Sequence, residues 1–194
     1  MSQIICKIVE TEAERRAHFA IRQAVFVEEQ GMFSGSDVDE HDPHAVHIIA
    51  LNQTTGQVVG AVRVYEAEPG VWYGGRMAVL QEYRRHLPPI GPLLDRLAER
   101  TVSERGCRRF LAYIQMQNVR FFERLGWSKI GEPALHCGQP HQLMEANLAA
   151  QLWREVKLET HLESVRKPGR GSRLPSTAGG PGLGARSAGA RLGS

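Results

Sequence analysis

The chain has 194 residues, 42% of them hydrophobic, and a formal net charge of +3. A chain of this length can bury one sizeable core, so a single domain of about 150 residues is expected. Five bases and no acid lie in residues 167–194, which leaves 19 bases against 21 acids, a net charge of −2, in the rest of the chain. That balance argues against a basic nucleic-acid-binding protein.

The three cysteines are Cys6, Cys107 and Cys137, and no two of them have CxxC spacing. An odd number of scattered cysteines argues against a disulfide framework and favours a reducing compartment. No apolar run reaches the roughly 18 residues that a membrane span needs, and the N-terminus has no signal-peptide pattern. The sequence therefore predicts a cytoplasmic protein that does not associate with membranes.

The first third of the chain predicts a strand, a helix and a loop. Residues 4–9 form a short apolar strand, and Thr11 followed by Glu14 is a capping-box signature for a helix that should end near Gly31. Residues 32–45 are polar, contain Gly and Pro and show no periodicity, which predicts a solvated acidic loop.

The middle of the chain predicts most of the sheet. Residues 46–51 and 57–66 indicate a hairpin whose near-continuous apolar content is typical of strands covered on both faces. Residues 71–80 predict a central strand, and residues 109–115 predict another. The last strand candidates are Ile130 and the run HQLMEANL.

A basic turn joins that central strand to a helix. Arg84, Arg85 and His86 lie in the turn, and a helix is expected from Gly91-Pro92 to Gly106. The free N–H groups of a helix start and two arginines form an anion site, so a phosphate-bearing cofactor is expected. An ordinary strand-turn-helix unit with surface arginines is the alternative.

Two segments resemble the GCN5-related N-acetyltransferases (GNAT): residues 75–106 and the run NVRFFERLGW from Asn118. The resemblance implies a single α/β domain with a mixed, mostly antiparallel sheet flanked by helices, spanning residues 1–148. It also implies acetyl-CoA as co-substrate. The residues implied to contact coenzyme A are Met77, Ala78 and Val79 on the strand, Arg84, Arg85, Ile90 and Gly91 at the pyrophosphate turn, and Asn118 and Phe122 in the second segment. Pro88-Pro89 lack two amides that this turn would otherwise offer.

Within that family, the runs FVEEQG, EPGVWYGGR, QNVRFFERLGW and PHQLMEANL are most similar to a small group associated with bacterial nitrogen-starvation and nitrilase gene clusters. Residues 149–166 predict a C-terminal helix, which either pads the core or makes a homodimer contact. Residues 167–194, rich in Gly, Pro, Ser and Arg, predict a disordered tail.

Acyl transfer to an amine needs a group that accepts the proton of the amine. Glu29, Asp42 and His141 are the candidate catalytic residues, and further candidates are Glu28, Asp39, Glu40 and His47. The family often places a tyrosine acid where this chain has Phe121-Phe122. The coenzyme A thiol has a pKa of about 8.5, so it can leave as a thiolate without a general acid. In this chain, either a group other than that tyrosine protonates the thiolate or no group does.

Two readings compete with transfer to a small-molecule primary amine. One is a module of the same fold that senses acyl-CoA without turnover. The other is a purely structural or nucleic-acid role, which rests only on the basic tail. Separately, the loop residues could form a structural zinc site from His41, His44 and His47, with Cys137 or His141 as a further ligand. Histidines spaced three residues apart come together only on a helix, and Pro43 argues against a helix through this segment. No metal is therefore expected.

Overall fold

A computed structural model of the protein describes residues 3–149, which form a seven-stranded sheet and three α-helices. The strands are β1 (Ile4–Ile8), β2 (Val46–Asn52), β3 (Gln57–Glu68), β4 (Val71–Val79), β5 (Arg109–Gln115), β6 (Ser128–His136) and β7 (Gln139–Glu145). The helices are α1 (Glu12–Arg22), α2 (Ile90–Ser103) and α3 (Val119–Leu125). The predicted C-terminal helix of residues 149–166 and the tail of residues 167–194 lie outside the described residues, apart from residue 149 itself. No described helix is long and apolar enough to cross a membrane.

The sheet is antiparallel except at its centre. Its strand order is β1-β2-β3-β4-β5-β7-β6, and only β4 and β5 are parallel. These two strands pair from Val71 with Arg109 to Gly74 with Ala112, and no further. Beyond those four residue pairs, β4 stays with β3 while β5 stays with β7. The sheet therefore opens into a V between β4 and β5.

Each face of the sheet has its own core. Helices α2 and α3 cover one face, where Leu94 and Val102 pack with Trp72 and Phe110. Helix α1 covers the other face, where the buried residues are Ile21, Val25, Phe26, Ile49, Val58, Ala61 and Ala78. Because alternate residues of β2 and β3 contribute to different cores, β2 and residues 58–64 of β3 are almost wholly buried. The mixed α/β fold and the doubly covered hairpin are confirmed.

Helix α1 starts as predicted but changes geometry earlier than expected. The Thr11 hydroxyl accepts a hydrogen bond from the Glu14 N–H at 3.2 Å, and the Glu14 carboxylate accepts one from the Thr11 N–H at 3.3 Å. Regular α-helix ends at Arg22, and the chain continues as a π-helical segment, Gln23–Glu29. The wider turn is visible in the bond from the N–H of Gln30 to the carbonyl of Val25, five residues back.

Residues 32–45 form the predicted loop, apart from the one-turn 3₁₀-helix Asp42–His44, but the expectation that its acidic side chains are solvated is wrong. Asp37 and Asp42 are buried, and both bind the guanidinium of Arg22, which has no exposed surface. Its Nε donates to Asp37 at 2.7 Å and its Nη1 donates to Asp42 at 2.6 Å. Arg63 on β3 binds Asp39 and Asp42 from the opposite side. Two buried arginines therefore fold this acidic segment onto the sheet.

The charge state of Asp42 follows from those contacts. Burial alone would raise the pKa of its carboxyl, but hydrogen bonds from Arg22 and Arg63 hold that pKa well below its usual range. Asp42 is thus an anion whose charge is balanced inside the fold.

Replacing Arg22 by Met should strongly destabilise the protein, because the substitution leaves two buried carboxylates without their main counterion. The expected loss in the free energy of unfolding is about 3–5 kcal/mol, measured by urea denaturation. Arg16→Met is the matched control, since Arg16 is exposed and lies 3.9 Å from Glu12. Its expected effect is within about 0.5 kcal/mol. Equal losses in the two variants would show that the buried network contributes nothing particular to stability.

Candidate active site

A cavity of about 440 Å³ lies where β4 and β5 separate. Gly74 and Gly75 of β4 and Ala112 of β5 line its middle. On the α2 side of the sheet its wall consists of Asp95, Ala98, Phe110, Phe122 and Trp127. On the α1 side its wall includes Phe26, Phe33, Asp39, Arg63, Tyr65, Arg76 and His141. The cavity therefore connects the two faces of the sheet, so two ligands could meet in it from opposite sides.

The glycines keep the middle of the cavity open. A Cβ at Gly74 would lie 2.9 Å from the ring of Phe110, which is closer than real Cβ atoms approach. A Cβ at Gly75 would meet no atom within 4 Å and would project into open space. Position 74 therefore requires glycine for packing, and a side chain at position 75 would occupy the cavity.

A β-bulge in β4 sets the direction of one wall residue. Ala78 pairs with Ala61 and Gly75 pairs with Arg63. Two residues of β4, Arg76 and Met77, therefore lie opposite a single residue of β3, Val62. Arg76 has a φ of +54°, a left-handed conformation that costs a non-glycine residue about 1–3 kcal/mol. The bulge turns the Arg76 guanidinium to the α1 side of the sheet, where it lies 4.5 Å from the ring of Phe33.

His141 is the one of the three candidate bases that lines this cavity. It lies on β7 with 3% of its surface exposed, and its Nδ1 is 2.9 Å from the carbonyl oxygen of Gln139. A carbonyl oxygen only accepts hydrogen bonds, so Nδ1 carries the proton and the lone pair lies on Nε2. His141 is thus fixed in the tautomer that can accept a proton at Nε2.

The other two candidate bases are engaged elsewhere. Both carboxylate oxygens of Glu29 accept from Arg84, at 2.7 and 2.6 Å, and this contact lowers the pKa of Glu29. Both oxygens of Asp42 accept hydrogen bonds within the buried network. Neither residue lines the cavity. Among the further candidates, Asp39 and Glu40 line it, whereas His47 packs its ring against His18.

The predicted coenzyme contacts fall into two groups. Met77, Asn118 and Phe122 line the cavity, while Ala78 is buried in the α1-side core. Val79 ends β4, and its carbonyl accepts a hydrogen bond from Arg84 Nε at 3.0 Å.

The predicted pyrophosphate turn lies at the start of α2. This helix begins at Ile90, one residue before the predicted start, with Pro89 at its N-cap and no side-chain capping bond. The N–H groups of its first turn therefore remain available to an anion, apart from that of Pro92, which has none. Arg85 is exposed, whereas Arg84 is paired with Glu29. Gly91 allows α2 to approach α3, since a Cβ there would lie 3.0 Å from the ring of Phe121.

Sequence reasoning missed a row of stacked rings on the wall of the cavity. Neighbouring ring centroids are 4.1 Å apart for His41 and Tyr65, 5.9 Å for Tyr65 and Tyr73, 6.0 Å for Tyr73 and Tyr113, and 4.3 Å for Tyr113 and His136. The tyrosines come from β3, β4 and β5, so the row crosses the sheet. The three tyrosines lie on three different strands, and only the strand register brings the rings together.

Sequence reasoning also missed Asp95, a buried carboxyl on the α2 side of the cavity. Only 3% of its surface is exposed, and Trp127 Nε1 donates to it at 3.4 Å. Burial raises the pKa of Asp95 to about 7. Leu94 and Ala98 lie on the apolar face of α2, and Asp95 adjoins that face. An acidic residue at such a position was the sequence signal that could have predicted a buried carboxyl.

The raised pKa of Asp95 predicts a pH-dependent stability. Because the carboxyl ionises more readily in the unfolded chain, its contribution to folding is full below about pH 4 and is lost as the pH rises towards 7. Asp95→Asn keeps an acceptor for Trp127 but cannot ionise. The variant should therefore be more stable than the wild type at pH 8, by on the order of 3 kcal/mol, and similar to it at pH 4. Urea denaturation at the two pH values measures this, and a difference that does not change with pH would contradict it.

Comparison with known proteins identifies the family. The model of the acetyltransferase (GNAT) domain matches residues 21–101. A Bacillus subtilis protein named as a putative acetyltransferase is 33% identical over 144 residues, which cover 71% of this chain and 92% of that protein. The uncharacterized N-acetyltransferase YjcF of B. subtilis is 27% identical over 138 residues, covering 71% of this chain and 95% of YjcF.

Among solved structures, the CoA-dependent acyl-homoserine lactone synthase BjaI, solved with isopentyl-CoA, has a similar fold. Its TM-score is 0.64 at 19% identity, with 89% of this chain and 96% of BjaI covered. The family model and the Bacillus subtilis relative identify the protein as an acyltransferase of a family that generally uses acyl-CoA. The chain belongs to the GNAT family.

Proposed function

We propose that the protein transfers an acetyl group from acetyl-CoA directly to a primary amine of a small molecule. The observation that carries this proposal is the cavity through the sheet, whose middle is lined by Gly75 and whose α1 side holds His141 with a free Nε2. The acyl donor would enter from the α2 side and the amine from the α1 side.

The donor side combines a strand edge with a helix start. Beyond Gly74, the edge of β4 that faces β5 pairs with no strand of residues 3–149. Main-chain groups of Met77, Ala78 and Val79 are therefore candidates to bind the pantetheine arm and to polarise the thioester carbonyl. The first turn of α2, at Ile90 and Gly91, together with Arg85 would hold the pyrophosphate. Asn118 and Phe122 would lie beside the arm. Arg84 would contribute only if it left Glu29.

The chemical step needs one proton acceptor. The neutral amine nitrogen attacks the thioester carbonyl carbon, the C–N bond forms, and the C–S bond breaks as the thiolate leaves. His141 Nε2 takes the proton that the amine loses, while the Gln139 carbonyl, which accepts from Nδ1, stabilises the imidazolium. The leaving thiol has a pKa near ~8.5, so the thiolate leaves without a tyrosine at the position of Phe122.

A sensor that binds acyl-CoA without turnover is the second candidate. Two features favour it. The chain has Phe121-Phe122 where the family often has a tyrosine that acts as a general acid, and it has Pro88-Pro89 at the pyrophosphate turn. Multiple turnovers of acyl-CoA in the presence of an amine distinguish an enzyme from a sensor.

Replacing His141 by Gln should lower kcat/KM for the amine by about a hundredfold or more, because glutamine cannot accept the proton. The affinity for acetyl-CoA should stay nearly unchanged, since His141 lies on the opposite side of the sheet from the donor. Thiol release during steady-state turnover measures the first quantity, and calorimetric titration with acetyl-CoA measures the second.

Two further variants make this test decisive. His44→Gln changes an exposed histidine outside the cavity and should leave turnover unchanged. Glu29→Gln tests the competing base. A larger loss at Glu29 than at His141 would assign the proton transfer to Glu29 and reject His141 as the base.

A further inference from the structure

The carboxylates in the α1-side wall of the cavity are already neutralised. Asp37 binds Arg22, and Asp39 binds both terminal nitrogens of Arg63. Glu40 is the exception, but its side chain is 83% exposed and lies 3.8 Å from His41. The wall, as far as residues 3–149 form it, therefore has no buried, unpaired carboxylate that would attract a second cationic group of an acceptor.

Arg76 shares both of its carboxylate partners with other arginines. Its Nε donates to the Asp37 carbonyl at 3.1 Å and lies 3.2 Å from the Asp37 carboxylate, which Arg22 also binds. Its Nη2 lies 3.1 Å from Asp39, whose oxygens are shared with Arg63. Within residues 3–149, its Nη1 makes no hydrogen bond. Burial and the nearby Arg63 lower the pKa of the Arg76 guanidinium, whereas for Arg63 the hydrogen bonds to Asp39 and Asp42 outweigh burial and raise the pKa. Arg76 thus has no carboxylate to itself, and its Nη1 is a donor that no group of residues 3–149 occupies.

The stacked rings add further donors to the same wall. In the described part of the chain, the hydroxyls of Tyr65, Tyr73 and Tyr113 make no hydrogen bond, and all three rings line the cavity. A phenol hydroxyl can donate to an anion. Together with Arg76 Nη1, these groups make the wall rich in donors, and His141 Nε2 supplies the acceptor for an amine.

We infer that Arg76 binds a carboxylate of the acceptor, so that the acceptor is an amine that also carries a carboxylate, as amino acids do. This inference rests on the proposed function. The carboxylate accepts a hydrogen bond from Nη1 of Arg76, the tyrosine row lies beside the rest of the acceptor, and the amine faces His141. The strained backbone at Arg76 is what aims the guanidinium at this position.

The experiment compares molecules that differ only in the carboxylate. N-acetylphenylalanine and N-acetylphenethylamine, the products expected from phenylalanine and phenethylamine, are titrated calorimetrically into the protein with coenzyme A present. These compounds carry no titrating amine, so their affinities compare the carboxylate alone. The Nα-acetyl products of leucine and lysine are compared in the same way with the mono-acetyl products of 3-methylbutylamine and pentane-1,5-diamine. Both members of the lysine pair keep one terminal amine, so that pair too differs only in the carboxylate. In at least one pair the carboxylate should improve the affinity by about tenfold or more, as expected for a charge-assisted hydrogen bond.

Arg76→Gln should remove that preference, and Arg76→Lys should keep part of it because the charge remains. Arg100→Gln, which alters an exposed arginine paired with Glu104 on α2, should leave the preference intact. Thermal melts establish which variants are folded. If Arg76→Gln does not fold, the wild-type pairs and Arg76→Lys decide the question.

Equal affinities within every pair in the wild type would overturn the inference, as would a preference that persists in Arg76→Gln. The proposed function fails separately, when acetyl-CoA releases no thiol with any of the six parent amines. Transfer to amines without a preference for carboxylates would leave the proposed function standing and reject the role of Arg76.

Discussion

The structure depends on how few hydrogen-bonded pairs join β4 to β5. Only four residue pairs link these strands, after which each strand continues with its other neighbour. Separating two strands in this way leaves backbone N–H and C=O groups without a strand partner, which costs free energy unless water or a ligand binds them. In this protein the opening is the candidate active-site cavity, and the freed edge of β4 becomes available to a ligand. One core on the α2 side joins β3 and β4 to β5 and β7, so the sheet stays together although its strands separate at the opening.

The arginine–aspartate network gives the α1 side of that opening its character. Three arginines, Arg22, Arg63 and Arg76, meet Asp37, Asp39 and Asp42, so an acidic segment that looks solvated in the sequence becomes a wall with little net charge. Such a wall does not concentrate cationic amines by long-range attraction. Selection of the acceptor then depends on individual groups inside the cavity, and the unevenly shared charge at Arg76 is the most distinctive of them.

Local signals were sufficient to predict much of the fold. The capping box at Thr11, the apolar hairpin strands and the strand of residues 109–115 depend on short patterns that tertiary contacts reinforce. The site was less predictable, because it depends on register. The bulge at Arg76, the row of rings from three different strands and the buried Asp95 can be predicted only when it is known which strand or helix face lies opposite. The pairing of Glu29 with Arg84 joins residues 55 positions apart and changes what each can do.

The central claim is that the acyl donor and the acceptor meet in the cavity through the sheet. A crystal structure of the protein with coenzyme A tests it most directly. The account predicts the pyrophosphate at the first turn of α2 and the thiol in the opening between β4 and β5, beside Gly75. A coenzyme whose thiol lies outside that opening, with the cavity still open to solvent between Gly75 and Ala112, would contradict it.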